Sequence, residues 1–116
     1  MKYFAIFSFL CLGLAAKVQA QGRIKPDPCQ MFGSVYIEEK HRTLASHHVY
    51  LEEAEELADL NVFKVESHLF ADHTGHWYIT KNREEADFVI FIEKNKGLAD
   101  FSIHYTKTES FAGCKH

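Results

Sequence analysis

Three histidines come closest to forming a catalytic set in this chain. His68, His73 and His76 lie within nine residues of one another, together with Asp72. Imidazole is a preferred zinc ligand, and three protein ligands with one open position are typical of hydrolytic zinc sites. A metal-dependent hydrolase is therefore one hypothesis. No H-E-x-x-H motif is present and the spacing places no general base, so the pattern favours surface histidines, with no metal and no cofactor.

Four aspartates, Asp59, Asp72, Asp87 and Asp100, each follow an alanine directly. A ring of carboxylates is one way to bind Ca²⁺, which takes six to eight oxygen ligands. The alternative is a structural turn, in which the carboxylate accepts a hydrogen bond from the backbone N–H two residues further on. Ser46 stands at the equivalent place in an earlier segment and is also a turn residue. The pattern therefore favours structural turns over ligands.

An aromatic or histidine residue recurs at one further position, which we call the aromatic ladder: Tyr36, Tyr50, Phe63, Tyr78, Phe91 and His104. An exposed row of rings could stack sugars or a peptide. Aromatic side chains usually bury a large apolar area and contact one another across strands, so the pattern favours core or half-core packing.

Nucleophilic catalysis finds no support in the sequence. Ser67 and Ser110 lack a G-x-S-x-G context. Cys29 and Cys114 are an even pair at opposite ends of the domain, which in an exported protein predicts a disulfide, with two free thiols as the alternative. We therefore expect no catalytic residues.

These residues recur because the chain is built from a repeat. Six alanines follow one another at spacings of 13, 13, 15, 13 and 13 residues: Ala45, Ala58, Ala71, Ala86, Ala99 and Ala112. Upstream of each lies a β-rich run with alternating sides: VYIE, VYLE, VFKV, WYIT, IFIE and IHYT. The polar stretch between run and alanine is too short for an independent helix. The repeat predicts an all-β fold, a compact ring of six or seven short 13-residue β-repeats, each with one strand and one return.

Three segments are expected along the chain. Residues 1–20 are typical of a secretory signal peptide, with Lys2 at the start, an apolar run, and Val18-Gln19-Ala20 before the cleavage point. Residues 21–32 form a lead-in segment that contains both prolines, and residues 33–116 form the repeat domain. The mature protein is therefore expected in the periplasm or outside the cell.

The charge balance limits the classes of partner. The mature chain keeps 11 basic and 16 acidic residues, a formal net charge of −5, with no Lys/Arg cluster. Nucleic acid is therefore an unexpected partner. No second long apolar run exists, so we expect no membrane insertion of the mature form and a monomer.

The repeat register resembles the septoil-knot domain family, a bacterial domain of unknown function. The resemblance is carried by the segments Val62–Asp72 and Trp77–Asp87, by Ile103-His-Tyr-Thr, and by the closing Ser110-Phe-Ala-Gly. It covers roughly residues 33–115, with a departure in the first repeat, where Ser46 replaces aspartate. The resemblance implies a ring of short β-repeats whose backbone forms a deep knot with seven crossings, and it supplies no catalytic residues.

Together these observations predict a small exported repeat domain with a structural or binding role and no catalysis. The partner is expected to be a protein or a glycan. The alternatives are the zinc hydrolase using His68, His73 and His76, and a carbohydrate- or protein-binding module using the aromatic ladder.

Overall fold

The structure is a computed structural model that describes residues 27–114. The predicted signal peptide and the first six residues of the predicted lead-in lie outside the described residues. The strands are β1 (Gly33–Ile37), β2 (His47–Leu51), β3 (Leu60–Lys64), β4 (His76–Ile79), β5 (Phe88–Glu93) and β6 (Phe101–Tyr105). Seven 3₁₀ helices alternate with them: η1 (Pro28–Gln30), η2 (Arg42–Leu44), η3 (Glu55–Leu57), η4 (His68–Phe70), η5 (Arg83–Glu85), η6 (Lys96–Leu98) and η7 (Glu109–Phe111).

The 3₁₀ helices begin and end for local reasons. Ser67, Asn82 and Asn95 precede η4, η5 and η6, and each side chain accepts a hydrogen bond from the backbone N–H two residues later. The six helices η2–η7 all end at a repeat alanine, whose N–H bonds to the carbonyl of the first helical residue. The polar stretch of each repeat therefore forms a single 3₁₀ turn of three residues and does not continue into a longer helix.

All six strands are parallel and close into a barrel in the order β1-β4-β3-β6-β2-β5, with β5 paired back onto β1. This confirms the predicted all-β ring. Parallel neighbours normally need a crossover of a dozen or more residues. The connections here are seven to eleven residues long, and only the longest of them, residues 65–75, joins two strands that are neighbours in the barrel.

The two halves of the chain are interleaved around the barrel. β4 lies between β1 and β3, β5 between β1 and β2, and β6 between β2 and β3. Each of the six ladders thus joins one strand of residues 33–64 to one strand of residues 76–105. Strands that follow one another in the chain are neighbours only at β3 and β4, which the longest connection joins.

Each strand contributes at least one fully buried residue to the barrel interior, and the six at equivalent positions have no exposed surface: Val35, Val49, Val62, Trp77, Ile90 and Ile103. Leu60, Phe101 and Met31 extend this core, and the Trp77 indole Nε1 donates to the Met31 carbonyl at 3.3 Å. The predicted lead-in thus ends inside the fold, since Met31 covers the core. None of the helices in residues 27–114 has the length and apolarity to cross a membrane.

Candidate functional site

Three of the four repeat aspartates connect neighbouring strands. The Asp87 carboxylate accepts the backbone N–H of Ser34 at 2.8 Å, and the Asp87 N–H donates to the Ser34 carbonyl at 2.8 Å. Asp100 makes the same pair of bonds with His48, and Asp59 makes it with Ser102. We call this arrangement the aspartate brace.

The braces correct the predicted hydrogen bond. The sequence favoured a local bond to the N–H two residues further on, but the partners of Asp59, Asp87 and Asp100 lie 43 to 53 residues away. Ser46 replaces aspartate without loss of the connection. Its hydroxyl oxygen accepts the backbone N–H of Val89, and its own N–H donates to the Val89 carbonyl. These carboxylates are placed around the barrel and already accept backbone donors, so they do not converge on one point.

Asp72 departs from the other three. It lies in the longest connection, is 65% exposed, and its Oδ1 contacts the Nδ1 atom of His73 at 2.8 Å. That hydrogen bond from His73 holds the pKa of the Asp72 carboxyl below its usual value. The prediction that Asp72 fixes a turn into the next strand is therefore wrong, since its carboxylate stays in solvent beside an imidazole.

The three histidines of the hydrolase hypothesis are only partly brought together. The rings of His73 and His76 lie 5.6 Å apart, whereas the His68 ring contacts Tyr78, at 6.4 Å between centroids. His76 Nε2 contacts Glu109 Oε2 at 3.2 Å, and its Nδ1 is buried without a partner. Within residues 27–114 no group of three or more His, Cys, Asp or Glu side chains is arranged to hold a metal ion.

Acidic residues at the carboxyl ends of three strands are neutralised by the 3₁₀ helices. Glu38 pairs with Arg83 at 2.5 Å, Glu93 pairs with Arg42 at 2.6 Å, and Glu52 pairs with Lys96. Each base is the first residue of its helix, and each acid ends or directly follows β1, β5 or β2. Backbone N–H donors of Lys40 and His41 lower the pKa of Glu38, and the Arg42 hydrogen bond lowers that of Glu93.

The aromatic ladder is half-buried at all six positions, and two of its rings lie beside the bases of these helices. The Arg83 guanidinium sits 5.7 Å from the centre of the Tyr36 ring, and the Lys96 ammonium sits 6.0 Å from that of Tyr50. His76 meets Phe63 edge-on, with ring centroids 5.9 Å apart. The half-core packing that the sequence favoured is what the ladder adopts, and the rings do not form an open flat platform.

The predicted disulfide joins Cys29 to Cys114, with their Cα atoms 5.4 Å apart across 85 residues of sequence. Both cysteines line a surface cleft of about 650 Å³ together with His73, His76 and Glu109. Thr74 Oγ1 donates to the Cys29 carbonyl at 3.0 Å, which fixes the long connection to this end of the chain. The covalent link therefore lies beside the place where the repeat spacing changes.

A repeating set of apolar side chains points outward, and sequence reasoning missed it. The last residue of a 3₁₀ helix is 53–63% exposed in five repeats, and these residues form what we call the apolar belt: Leu44, Leu57, Phe70, Leu98 and Phe111. Leu44, Leu57 and Leu98 each stand three residues before a strand begins. Since all strands are parallel, these three surround the same end of the barrel. Glu85 takes the equivalent position in the remaining repeat.

One cleft combines the belt with acidic side chains. It has a volume of about 440 Å³ and lies between η4 and η7, over the junction of β3 and β4. Phe63, Val65 and Phe70 line it, together with the acids Glu66, Asp72 and Glu109. We call it the η4–η7 cleft. The sequence carries one sign of it, because an apolar residue precedes five of the six repeat alanines.

A family model described as 7(1) septoil knot domain matches residues 28–115. The match begins within the predicted lead-in and spans all six strands. It confirms the resemblance derived from the repeat, and the description names a fold and no activity. No curated protein and no solved structure matches the chain significantly.

Proposed function

We propose that this chain, which belongs to the septoil-knot domain family, is an exported binding module that presents the apolar belt to a protein partner and performs no catalysis. The belt is the observation that carries the proposal. Five large apolar side chains that are each more than half exposed are costly to leave in water, and such surfaces usually mark interaction sites.

The belt supports binding for a second reason, which is its position in the repeat. Each belt residue is held by a 3₁₀ helix whose following alanine returns to the barrel, so its backbone is fixed by the fold. Apolar side chains on a rigid backbone lose little conformational entropy on binding. Recurrence of the same exposed residue type at one repeat position argues for a shared role.

A protein partner fits this surface better than a glycan. Sugar-binding surfaces use open aromatic faces, whereas the ladder rings are half-buried and the belt is mostly leucine. Where Phe70 lines the η4–η7 cleft beside Glu66, Asp72 and Glu109, the surface is complementary to an apolar protein surface with basic groups at its rim.

Export to the periplasm or the cell exterior is part of the proposal. The signal-like segment of residues 1–20 supports it, and so does the Cys29–Cys114 disulfide, since such bonds persist mainly in oxidising compartments. A covalently closed chain also suits a protein exposed to extracellular proteases.

Site-specific photocrosslinking in the cells that make the protein tests the proposal. A photoreactive amino acid is placed at Leu57 or Leu98 in the belt, and at the exposed positions Glu39 or Lys81 as matched controls. We expect one discrete protein adduct from the belt positions only. Purified wild-type domain should suppress the adduct, and a domain with Leu57→Ser, Leu98→Ser and Phe111→Ser should not.

Two results would overturn the proposal. The first is adduct formation of equal yield at belt and control positions. The second is equal suppression by the wild-type and the substituted domain, because competition would then not depend on the belt. Turnover of a hydrolase substrate that is lost in a His76→Ala variant would revive the enzyme hypothesis instead.

A further inference from the structure

We infer that the η4–η7 cleft binds a lysine or arginine side chain of the protein partner, carried on an apolar segment. This inference rests on the proposed function and assigns one specific contact within it. The cleft lies where the barrel departs from its repeat: the β3–β4 ladder has two residue pairs, whereas the other five have three or four.

The first step is the charge of the cleft. Glu66, Asp72 and Glu109 are all exposed, and the ion pairs within residues 27–114 bring no lysine or arginine to any of them. The one lysine among the lining residues, Lys64, has its ammonium 4.3 Å from the centre of the Tyr105 ring. With three carboxylates and this one lysine, the cleft keeps a net negative charge.

Three ion pairs elsewhere in the barrel show how the repeat neutralises an acid, and among the described residues the cleft has no such pair. The helices η2, η5 and η6 begin with Arg42, Arg83 and Lys96, and each of these bases neutralises an acid. The helix η7 begins instead with Glu109, and η4 begins with His68. An arginine or lysine therefore stands at the first helical position in η2, η5 and η6, and not in the two helices beside the cleft or in η3, which begins with Glu55.

The second step is the apolar lining. Phe70 is 63% exposed, and Phe63 and Val65 are half-buried. Rings beside carboxylates suit a cation with an apolar stem, because the ammonium or guanidinium meets the acids and the ring faces while the methylenes contact Phe63 and Val65. A volume of about 440 Å³ accommodates one long basic side chain and part of its neighbours.

The probe is a capped pentapeptide, acetyl-Gly-Leu-Arg-Leu-Gly-amide, with glutamine in place of arginine as the matched control. Its binding to the oxidised mature protein is followed by ¹⁵N–¹H NMR at low ionic strength. We expect shifts at the amides of residues 63–66, 70–73 and 109–110, and an affinity about fivefold to tenfold higher for the arginine peptide.

A matched pair of variants tests the charge. Replacement of the three cleft acids (Glu66→Gln, Asp72→Asn, Glu109→Gln) should remove the preference for arginine. Replacement of three exposed acids elsewhere (Glu39→Gln, Glu53→Gln, Glu84→Gln) changes the net charge equally and should leave the preference within about twofold at physiological salt, since distant exposed charges are screened there. Both variants should keep the dispersed spectrum of the wild type.

Equal affinity of the two peptides, or shifts that lie outside the cleft, would overturn this inference. Crosslinking at Leu57 and Leu98 would be unaffected by that result, so the two failures are distinguishable. An Arg23→Gln, Lys25→Gln variant supplies one further outcome. If it binds the arginine peptide several-fold more tightly than wild type, the chain's own segment competes for the cleft and the assignment to a partner is wrong.

Discussion

Asp87 and Ser34 lie 53 residues apart in the chain and exchange two hydrogen bonds, each of 2.8 Å, one through the carboxylate and one through the backbone. The bonds fix the residue before β5 to the start of β1. Asp59 and Asp100 repeat the arrangement with Ser102 and His48, so one residue type connects three pairs of strands around the barrel.

Substitution of the brace aspartates should separate acceptor geometry from charge. Asp87→Asn and Asp100→Asn should each lower the free energy of unfolding by less than about 1 kcal/mol, because the amide oxygen still accepts the backbone N–H. Asp→Ala at the same positions should cost about 1–2 kcal/mol, since a partly buried N–H loses its acceptor. Urea unfolding measures both effects.

Asp72 is the internal control for this prediction. Its carboxylate bonds only an exposed imidazole, so Asp72→Ala should change the free energy of unfolding by less than about 0.5 kcal/mol. Equal destabilisation by Asn and Ala at positions 87 and 100, with a melting temperature raised by added Ca²⁺, would support a ligand role instead.

Gly75→Ala should be among the most destabilising small substitutions in the chain. Gly75 has a φ of 83°, and a Cβ there would collide with the backbone of Gly113 and Asn61, which are themselves hydrogen-bonded to each other. We expect a loss of about 2 kcal/mol or more. Thermal unfolding of the purified variant checks the value.

Gly97→Ala is the matched control. Gly97 has no left-handed backbone, and its added Cβ would meet only the Asn95 side chain at 3.3 Å. The substitution should be neutral or stabilise by up to about 1 kcal/mol, because alanine restricts the unfolded chain. Similar losses at positions 75 and 97 would contradict the backbone conformation described for the long connection.

Glu93 should contribute to an acid-dependent loss of stability. The Arg42 hydrogen bond lowers its pKa from 4.5, so the unfolded state binds the proton more readily than the folded state. The stabilisation that ionised Glu93 provides is therefore fully present above about pH 4.5. It is lost as the pH falls through the lowered pKa of Glu93 in the folded state. Glu93→Gln should lower the melting temperature at pH 7 and flatten its decline below pH 4.5.

The exposed Glu39 supplies the comparison for this titration. Glu39→Gln should leave both the melting temperature and its pH profile close to those of wild type, since Glu39 has no partner among the ion pairs of residues 27–114. A Glu93→Gln profile parallel to the wild-type curve between pH 3 and 5 would refute the assigned pKa direction.

The disulfide should affect both stability and refolding. The Cys29–Cys114 bond closes a loop of about 85 residues, for which the loop-entropy argument gives about 4–5 kcal/mol. The seven-crossing knot named in the family description stays a prediction for this chain. With it, a closed chain cannot untie in denaturant, whereas a Cys29→Ser, Cys114→Ser variant must thread its end again, a slow non-local step.

Long incubation in strong denaturant followed by rapid dilution tests this expectation. The oxidised chain should refold faster than the serine variant by more than the stability difference explains, and the gap should grow with incubation time. Refolding rates that coincide after correction for stability would argue against threading, and a stability difference near zero would argue against the entropic contribution.

The sequence predicted the elements of the fold better than their arrangement. The alternation separated the side of Val49, Trp77 and Ile90, which are fully buried, from the half-buried ladder side, but it did not indicate which of the two sides fills the barrel. The strand order was not predictable, since a 13-residue period is compatible with any step around a ring. The brace partner of Asp87 was missed for the same reason, because a long-range contact leaves no local pattern.

The candidate site was less accessible to sequence reasoning. Leu57 and Phe70 precede buried alanines, and apolar residues beside a buried position are ordinarily read as core. Whether such a side chain points inward depends on the 3₁₀ geometry, which directs the last helical residue outward and the following alanine inward. The negative charge of the cleft comes from Glu66, Asp72 and Glu109, and only the three-dimensional arrangement brings Glu109 next to the other two.

Each ladder joins residues 33–64 to residues 76–105, so the barrel consists of two sets of three strands, β1–β3 and β4–β6, that alternate around it. No two strands of the same set pair with each other, so neither set can form a sheet and fold by itself. During synthesis β1, β2 and β3 remain without hydrogen-bonded neighbours until the second half has been made. In a chain without the Cys29–Cys114 bond, cleavage in the 65–75 connection should still leave two fragments that stay associated, so this segment is the place to split the chain into a complementing pair.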